Sequence, residues 1–204
     1  MKLKNFLLLL ALVANFSFGQ NTIKVTNHYG SLNEEIQALI DFEKIYIEKL
    51  DFESSEIKDK QYLINIQEFT NGKLVNKSEL FNGEGQKSEH FKLKSNKESL
   101  RFLFKMTDGK LNTQIAGSNF KSKKIYFDLK DDSDDYALKD FFGSKKELYI
   151  DVNKETAILA IITPTKHADG FSSYCEVVQS NVKPENLGSY FKIPHYFLIT
   201  IQFK

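Results

Sequence analysis

Apolar and polar positions alternate along most of the chain. Tyr62, Ile64 and Ile66 alternate with Asn65 and Gln67, the period of a strand with one face buried. Asn71-Gly72 follows, the pair that tolerates the positive φ of a two-residue hairpin turn, and 74–81 reads as the returning strand. Leu100, Phe102, Phe104 and Met106 form an apolar face opposite Arg101 and Lys105. Asp108-Gly109 is a second hairpin turn, with Leu111, Thr113 and Ile115 returning from it. The alternation recurs at Ile125, Phe127 and Leu129 and at Leu148, Ile150 and Val152. Ile45 and Ile47 give way to Leu50 and Phe52 on the other parity, which predicts a bulge or bend. Residues 90–93 read as a short strand.

Helical patterning is scarce. Ser31-Leu32-Asn33-Glu34 reads as a capping box for a short turn over 33–39, with Leu32, Ile36, Leu39 and Ile40 on one side. The segment is brief enough to be a loop, and 20–31 leads into it as an extended arm. After the acidic loop 131–135, residues 136–142 read as one or two helical turns ending at Gly143. The run 157–162 is continuously apolar, as in a central strand covered on both sides. A loop (163–172), a strand (173–179), a longer loop (181–194) and a final strand (195–203) complete the chain, the last three strands forming a meander.

About eight to ten short strands with two hairpin turns predict an all-β fold, an antiparallel sandwich of jelly-roll or Greek-key type. A closed antiparallel barrel is the alternative. No helical pattern between strands is long enough for a βαβ unit. No repeat, low-complexity tract or linker divides 20–204, which reads as one domain.

The first 19 residues carry the marks of a cleaved export signal. Lys2 and Lys4 precede an apolar run at 6–14, and Ser17 and Gly19 suit cleavage before Gln20. The run is too short to span a bilayer, which takes about 20 apolar residues. With no cysteine near the cut, a lipid anchor there is not expected. The expected location is periplasmic or extracellular, with no membrane span. Of 28 Lys and Arg the leader removes two, leaving 26 basic residues against 27 acidic. That balance gives no drive toward nucleic acid.

Candidate chemistry concentrates in the last fifth of the chain. The lone Cys175 could act as a nucleophile with His167 or His195 as base and Asp169 orienting it. In a meander, a strand about 20 Å long separates the two histidines' loops, leaving only Cys175 with His167. Cys175 also shares parity with Val177, and Tyr174 with Glu176, which favours a core thiol. No pair has zinc-ligand spacing. An EF-hand reading of Asp131 onward fails, because Tyr136 and Phe142 stand where the turn glycine and bidentate glutamate belong. Acids are too numerous for sequence to select a glycosidase pair. No phosphate loop or nucleophile-elbow motif is present, and no cofactor is expected.

The loops are the better functional signal. The first supplies Thr165, Lys166, His167 and Asp169, with Tyr174 just beyond it; the second supplies Tyr190 and His195. Leu187, Tyr190, Phe191 and Ile193 of the second loop could instead point inward and cap the core. The leading expectation is an exported, non-catalytic binding or interaction protein, with a protein, small-ligand or glycan partner in the envelope. A secreted hydrolase built on 163–172 and an envelope assembly subunit pairing through an edge strand are the alternatives.

Overall fold

The computed structural model describes residues 21–84, 88–166, 172–174 and 181–204. Residues 1–20, which include the expected export signal, and His167, Asp169 and Cys175 lie outside them.

Two antiparallel sheets pack face to face. The first sheet holds β1 (Thr22–Tyr29), β2 (Ile45–Glu53), β5 (Lys97–Thr107), β6 (Lys110–Ala116), β7 (Ile125–Asp128) and β9 (Leu148–Asp151), in the order β7-β6-β5-β2-β1-β9. The second holds β3 (Tyr62–Thr70), β4 (Lys73–Asn82), β8 (Ala137–Asp140), β10 (Thr156–Ile162) and β13 (His195–Phe203), in the order β4-β3-β13-β10-β8. The six-stranded sheet curls into a half-barrel that does not close. The fold is therefore an all-β sandwich. A separate ribbon pairs β11 (Thr165–Lys166) with β12 (Ser172–Ser173). Three short α-helices, α1 (Glu34–Phe42), α2 (Ser88–Phe91) and α3 (Leu187–Phe191), and three 3-10 turns, Ser55–Ile57, Ser133–Asp135 and Pro184–Asn186, complete the described chain.

Both expected hairpins form. Asn71 and Gly72 have φ of 50° and 73°, and Asp108 and Gly109 have 52° and 69°, the doubly left-handed turn that suits twisted strands. Gly72 has a second role. A Cβ there would meet the backbone nitrogen of Ser189 at 3.1 Å, so the bare turn lets α3 settle on the hairpin.

Other expectations are corrected. Residues 22–29 are a paired strand rather than an arm, with Ile23 and Val25 fully buried between β2 and β9. No bulge interrupts β2, whose register runs unbroken against both neighbours. Tyr46, Glu48, Leu50 and Phe52 all face inward, while Ile45 and Ile47 are apolar residues on the outer face. Residues 137–140 form β8 instead of helix because β10 pairs with their backbone; Gly143, with φ of 60°, sits in a turn and ends no helix. Residues 88–91 are a helical turn. The cap of α1 is Asn33 rather than Ser31, its Oδ1 accepting from the Ile36 amide at 3.0 Å, and the helix runs on to Phe42. The terminal meander does not form, since β13 pairs directly with β10 and β3. The strand expected over 173–179 lies largely outside the described residues.

The continuous apolar run is covered on both sides. Leu159 and Ile161 join the core between the sheets, with Phe197 and Ile199 of β13. Ala160 and Ile162 face outward with Tyr196 and Leu198, under Leu187, Phe191 and Ile193. The segment expected to cap the core thus covers the outer face of the five-stranded sheet, and Tyr190 alone of its four apolar residues stays exposed.

Candidate binding site at the polar end of the sandwich

The core between the sheets changes character along its length. At one end it is aromatic: Phe52 packs edge-on against Phe203, and Tyr62, Phe81, Phe91 and Phe120 cluster beside them. At the other end the inward positions are Tyr46 and Glu48 on β2, Glu68 on β3 and His195 on β13. The α1 connection, the 108–109 turn and the acidic loop all lie at this second end.

His195 is 1 % exposed and hydrogen-bonded on both ring nitrogens, to the Tyr136 hydroxyl at Nδ1 (2.5 Å) and to Glu68 Oε1 at Nε2 (3.1 Å). The Tyr136 oxygen already accepts from the amides of Lys130 and Asp131, so its single hydrogen is free for Nδ1. Nε2 then carries the proton given to Glu68. Burial holds the imidazole below its ordinary pKa against the pull of Glu68, and pushes the Tyr136 phenol up to about 12. A neutral histidine between a phenol and a carboxylate has the residue types of a catalytic relay. Its burial, together with full use of its hydrogen bonds, makes it a fastener between loop 130–136 and the five-stranded sheet.

Two further tyrosines hold that loop. The Tyr46 hydroxyl donates to the Tyr136 carbonyl at 3.5 Å, and the Tyr174 hydroxyl to the Asp135 carbonyl at 2.9 Å. Ser133 Oγ accepts from the Gly109 amide at 3.0 Å, joining the loop to the β5–β6 turn. The result is a fixed wall of a cleft of about 570 Å³, lined by Phe42, Lys44, Lys105, Asp108, Asp131 and Asp134 among others. A smaller recess of about 240 Å³ adjoins it, with Tyr29, Asp41, Tyr46 and Tyr136 in its wall. Lys44 pairs with Asp134, and Lys105 with Glu43. Asp134 is the one loop carboxylate in such a pair, Asp132 Oδ1 accepts from the Asp134 amide at 2.9 Å, and no group of three or more His, Cys, Asp or Glu side chains among the described residues is placed to hold a metal.

Glu48 is the outlier of this end. It is 4 % exposed, and its Oε1 has no hydrogen-bond partner. Burial raises its carboxyl to about 7; the Asn27 amide opposes the shift and Asp140 adds to it. Asn27 itself donates to Asp140 Oδ2 at 3.2 Å. A carboxyl that titrates near neutrality has the chemistry of a general acid, but Glu48 does not line either cleft.

On the outside, α1 and Leu32 just before its cap present an uncovered apolar stripe. Leu32, Ile36, Leu39 and Phe42 are exposed, Phe42 by 82 % and Leu39 by 60 %, and Ile40 alone turns inward. Glu34, Glu35 and Asp41 flank the stripe, and Phe42 also borders the larger cleft.

Of the residues expected from sequence, Tyr174 and His195 are brought to the same loop, one bonded at Asp135 and the other at Tyr136. Lys139 Nζ lies 5.2 Å from the Tyr174 ring centroid. Thr165 begins β11 with its Oγ1 buried and unpartnered, and Lys166 follows it in that strand. Tyr190 stands apart, exposed on α3. Glu48, Glu68, Tyr136 and Phe42 were not anticipated. The signal for Glu48 was present, since the parity of Leu50 and Phe52 extended backward places it inside.

No known protein family, no curated protein and no solved structure matches this chain.

Proposed function

We propose that the chain is an exported, non-catalytic binding protein that docks a protein partner through α1 and the cleft beside it. The observation that carries this reading is the stripe of Ile36, Leu39 and Phe42 on a capped helix, with Leu32 just before the cap: four large apolar side chains left in water. Contiguous exposed apolar residues rimmed by charge mark interaction surfaces, and anchors spaced three to four residues apart, as Leu32, Ile36, Leu39 and Phe42 are, are how a helix is read by a groove. The acidic flanks Glu34, Glu35 and Asp41 call for a groove with a basic rim, and they disfavour pairing with a second copy of the same helix. Three tyrosines and a buried histidine fix the neighbouring wall, which lowers the ordering cost of binding. Lys2, Lys4, the apolar run 6–14, Ser17 and Gly19 support export.

The assembly-subunit alternative draws less support. Strands β7, β8 and β9 are edges of four residues each. The long edge β4 carries Lys73 and Lys77, and its register shifts twice; these features discourage edge pairing. The hydrolase alternative depends on His167 and Asp169, outside the described residues.

A partner recovered from envelope extract with the full chain should be lost with the double variant Ile36→Asp/Leu39→Asp, and the purified partner should bind wild type and not the variant. Unchanged binding by a variant with an intact circular dichroism spectrum would refute the reading.

A further inference from the structure

The outer face of the six-stranded sheet carries a groove of about 400 Å³ that meets the α1-end clefts at Lys105 and Ile45 and is otherwise lined by residues of β5, β6, β7 and the β6–β7 connection. Its floor follows the register. Ile45, Lys105, Asn112 and Tyr126 are direct cross-strand neighbours from β2 through β5 and β6 to β7, and Leu103 and Gln114 form the next row. The Tyr126 ring is 61 % exposed and stands at the edge as a flat platform.

The rim is basic and firmly held. Lys121 and Lys124 belong to the connection between β6 and β7, and both line the groove. Gln114 Nε2 donates to the Ser122 carbonyl at 2.8 Å, the Ser122 amide to the Ile115 carbonyl at 2.8 Å, and Lys121 bridges Ala116. Lys105 is neutralised by Glu43 at 2.7 Å, but no ion pair to Lys121 or Lys124 is found among the described residues. Within the floor, Asn112 Oδ1 is buried with no hydrogen-bond partner, an acceptor without a donor. An unmet buried acceptor is costly unless something supplies the hydrogen.

These features specify a ligand. Apolar walls with a few convergent polar groups are the usual make-up of a small-molecule site. The aromatic edge and the aliphatic Ile45 and Leu103 suit a flat apolar body, the two lysines suit an anion, and Asn112 requires a hydrogen-bond donor. We propose that this groove binds a small aromatic carboxylate bearing a hydroxyl group, its ring on Tyr126, its carboxylate at Lys121 and Lys124, and its hydroxyl donating to Asn112 Oδ1, which the amide must turn from its buried position into the groove. The site is independent of docking through α1.

The test uses the full chain, purified as its host leaves it, with 4-hydroxycinnamate as probe in calorimetric titration. Binding is expected in the high micromolar to millimolar range for so few ligand atoms. It should weaken roughly tenfold in Lys121→Ala/Lys124→Ala, since charge-assisted contacts are the strong ones. A smaller weakening, about threefold to tenfold, is expected in Tyr126→Ala from loss of the stacked ring. The methyl ester and the 4-methoxy analogue should each bind more weakly than the parent acid, and Leu74→Ala, on a distant edge strand, should bind like wild type. All these positions are at the surface, and each variant is checked for the wild-type circular dichroism spectrum. Absence of binding at millimolar probe, equal binding by the lysine and tyrosine variants, or tighter binding of galacturonate than of the phenolic acid would each overturn the assignment. The last would make the groove an acidic-sugar site.

Discussion

The two ends of the sandwich are built from the same strands yet do different work. At the aromatic end, Phe52 and Phe203 lie 5.7 Å apart, Phe81 and Phe120 stack at 4.0 Å, and Tyr62 joins them. Nearly every inward side chain there is apolar, so its stability comes from area and packing. At the polar end the same inward rows deliver Tyr46, Glu48, Glu68 and His195, which contribute through hydrogen bonds and are sensitive to protonation. A chain shaped for stability alone would fill both ends alike. The polar end gives up hydrophobic burial to hold a loop and a cleft in place, with the exposed helix α1 beside them.

The largest effect that tests this division is at the aromatic end. Phe52→Ala removes a fully buried ring and should cost about 3–5 kcal/mol, read as a fall in the urea midpoint. Tyr46→Phe, which removes one hydroxyl bond at the polar end, should cost about 1 kcal/mol. If the two losses were equal, the division would not hold.

Titration should next distinguish the polar end. Glu48 has a folded pKa of about 7 against an ordinary 4.5. Its contribution is fully present below pH 4.5 and is lost as pH rises through 7, to about 3 kcal/mol. His195 runs the other way. Its folded pKa lies below 6.5, so its contribution is present above pH 6.5 and is lost as pH falls through the folded value. In wild type the two slopes oppose each other over their shared window. Glu48→Gln should leave stability that rises with pH, and His195→Gln stability that falls with pH, in denaturant midpoints taken from pH 5 to pH 8. A profile unchanged by either substitution would mean that neither group is buried as described.

The sequence made the sheet framework legible but not the polar end, for identifiable reasons. Asn71-Gly72 and Asp108-Gly109 revealed their hairpins because positive φ at two successive residues admits few residue types. The run 157–162 announced a doubly covered strand because no polar parity interrupts it. By contrast, the polar fastener joins residues 59 and 127 positions apart, and no local pattern encodes such pairs. Glu48 was hidden because Ile45 and Ile47, apolar on the outer face, imposed the wrong parity on the start of β2. Residues 137–140 carried helix-like spacing, and pairing with β10 overrode it. The α1 stripe was visible, but whether anything in the fold would cover it was not.

A smaller effect concerns the cap of that helix. Asn33→Ala removes the acceptor for the Ile36 amide and should cost about 1 kcal/mol. Because little of α1 packs on the sandwich, the loss should appear chiefly as faster amide exchange within 34–42, with the exchange of β3 and β13 unchanged.

The smallest effect on stability carries the most information about function. Leu39 and Leu187 are both leucines in short helices, one 60 % exposed on α1 and the other fully buried where α3 packs on the five-stranded sheet. Leu187→Ala should cost about 2–5 kcal/mol, because α3 covers Tyr196 and Leu198. Leu39→Asp should change stability by about 0.5 kcal/mol or less, since it removes no contact with the core. A large loss from Leu39→Asp would mean that the stripe is held by the chain itself, and the docking reading would fail with it. A negligible loss, joined to loss of partner binding, would separate the two roles: α3 completes the fold, while α1 is left for something else to complete.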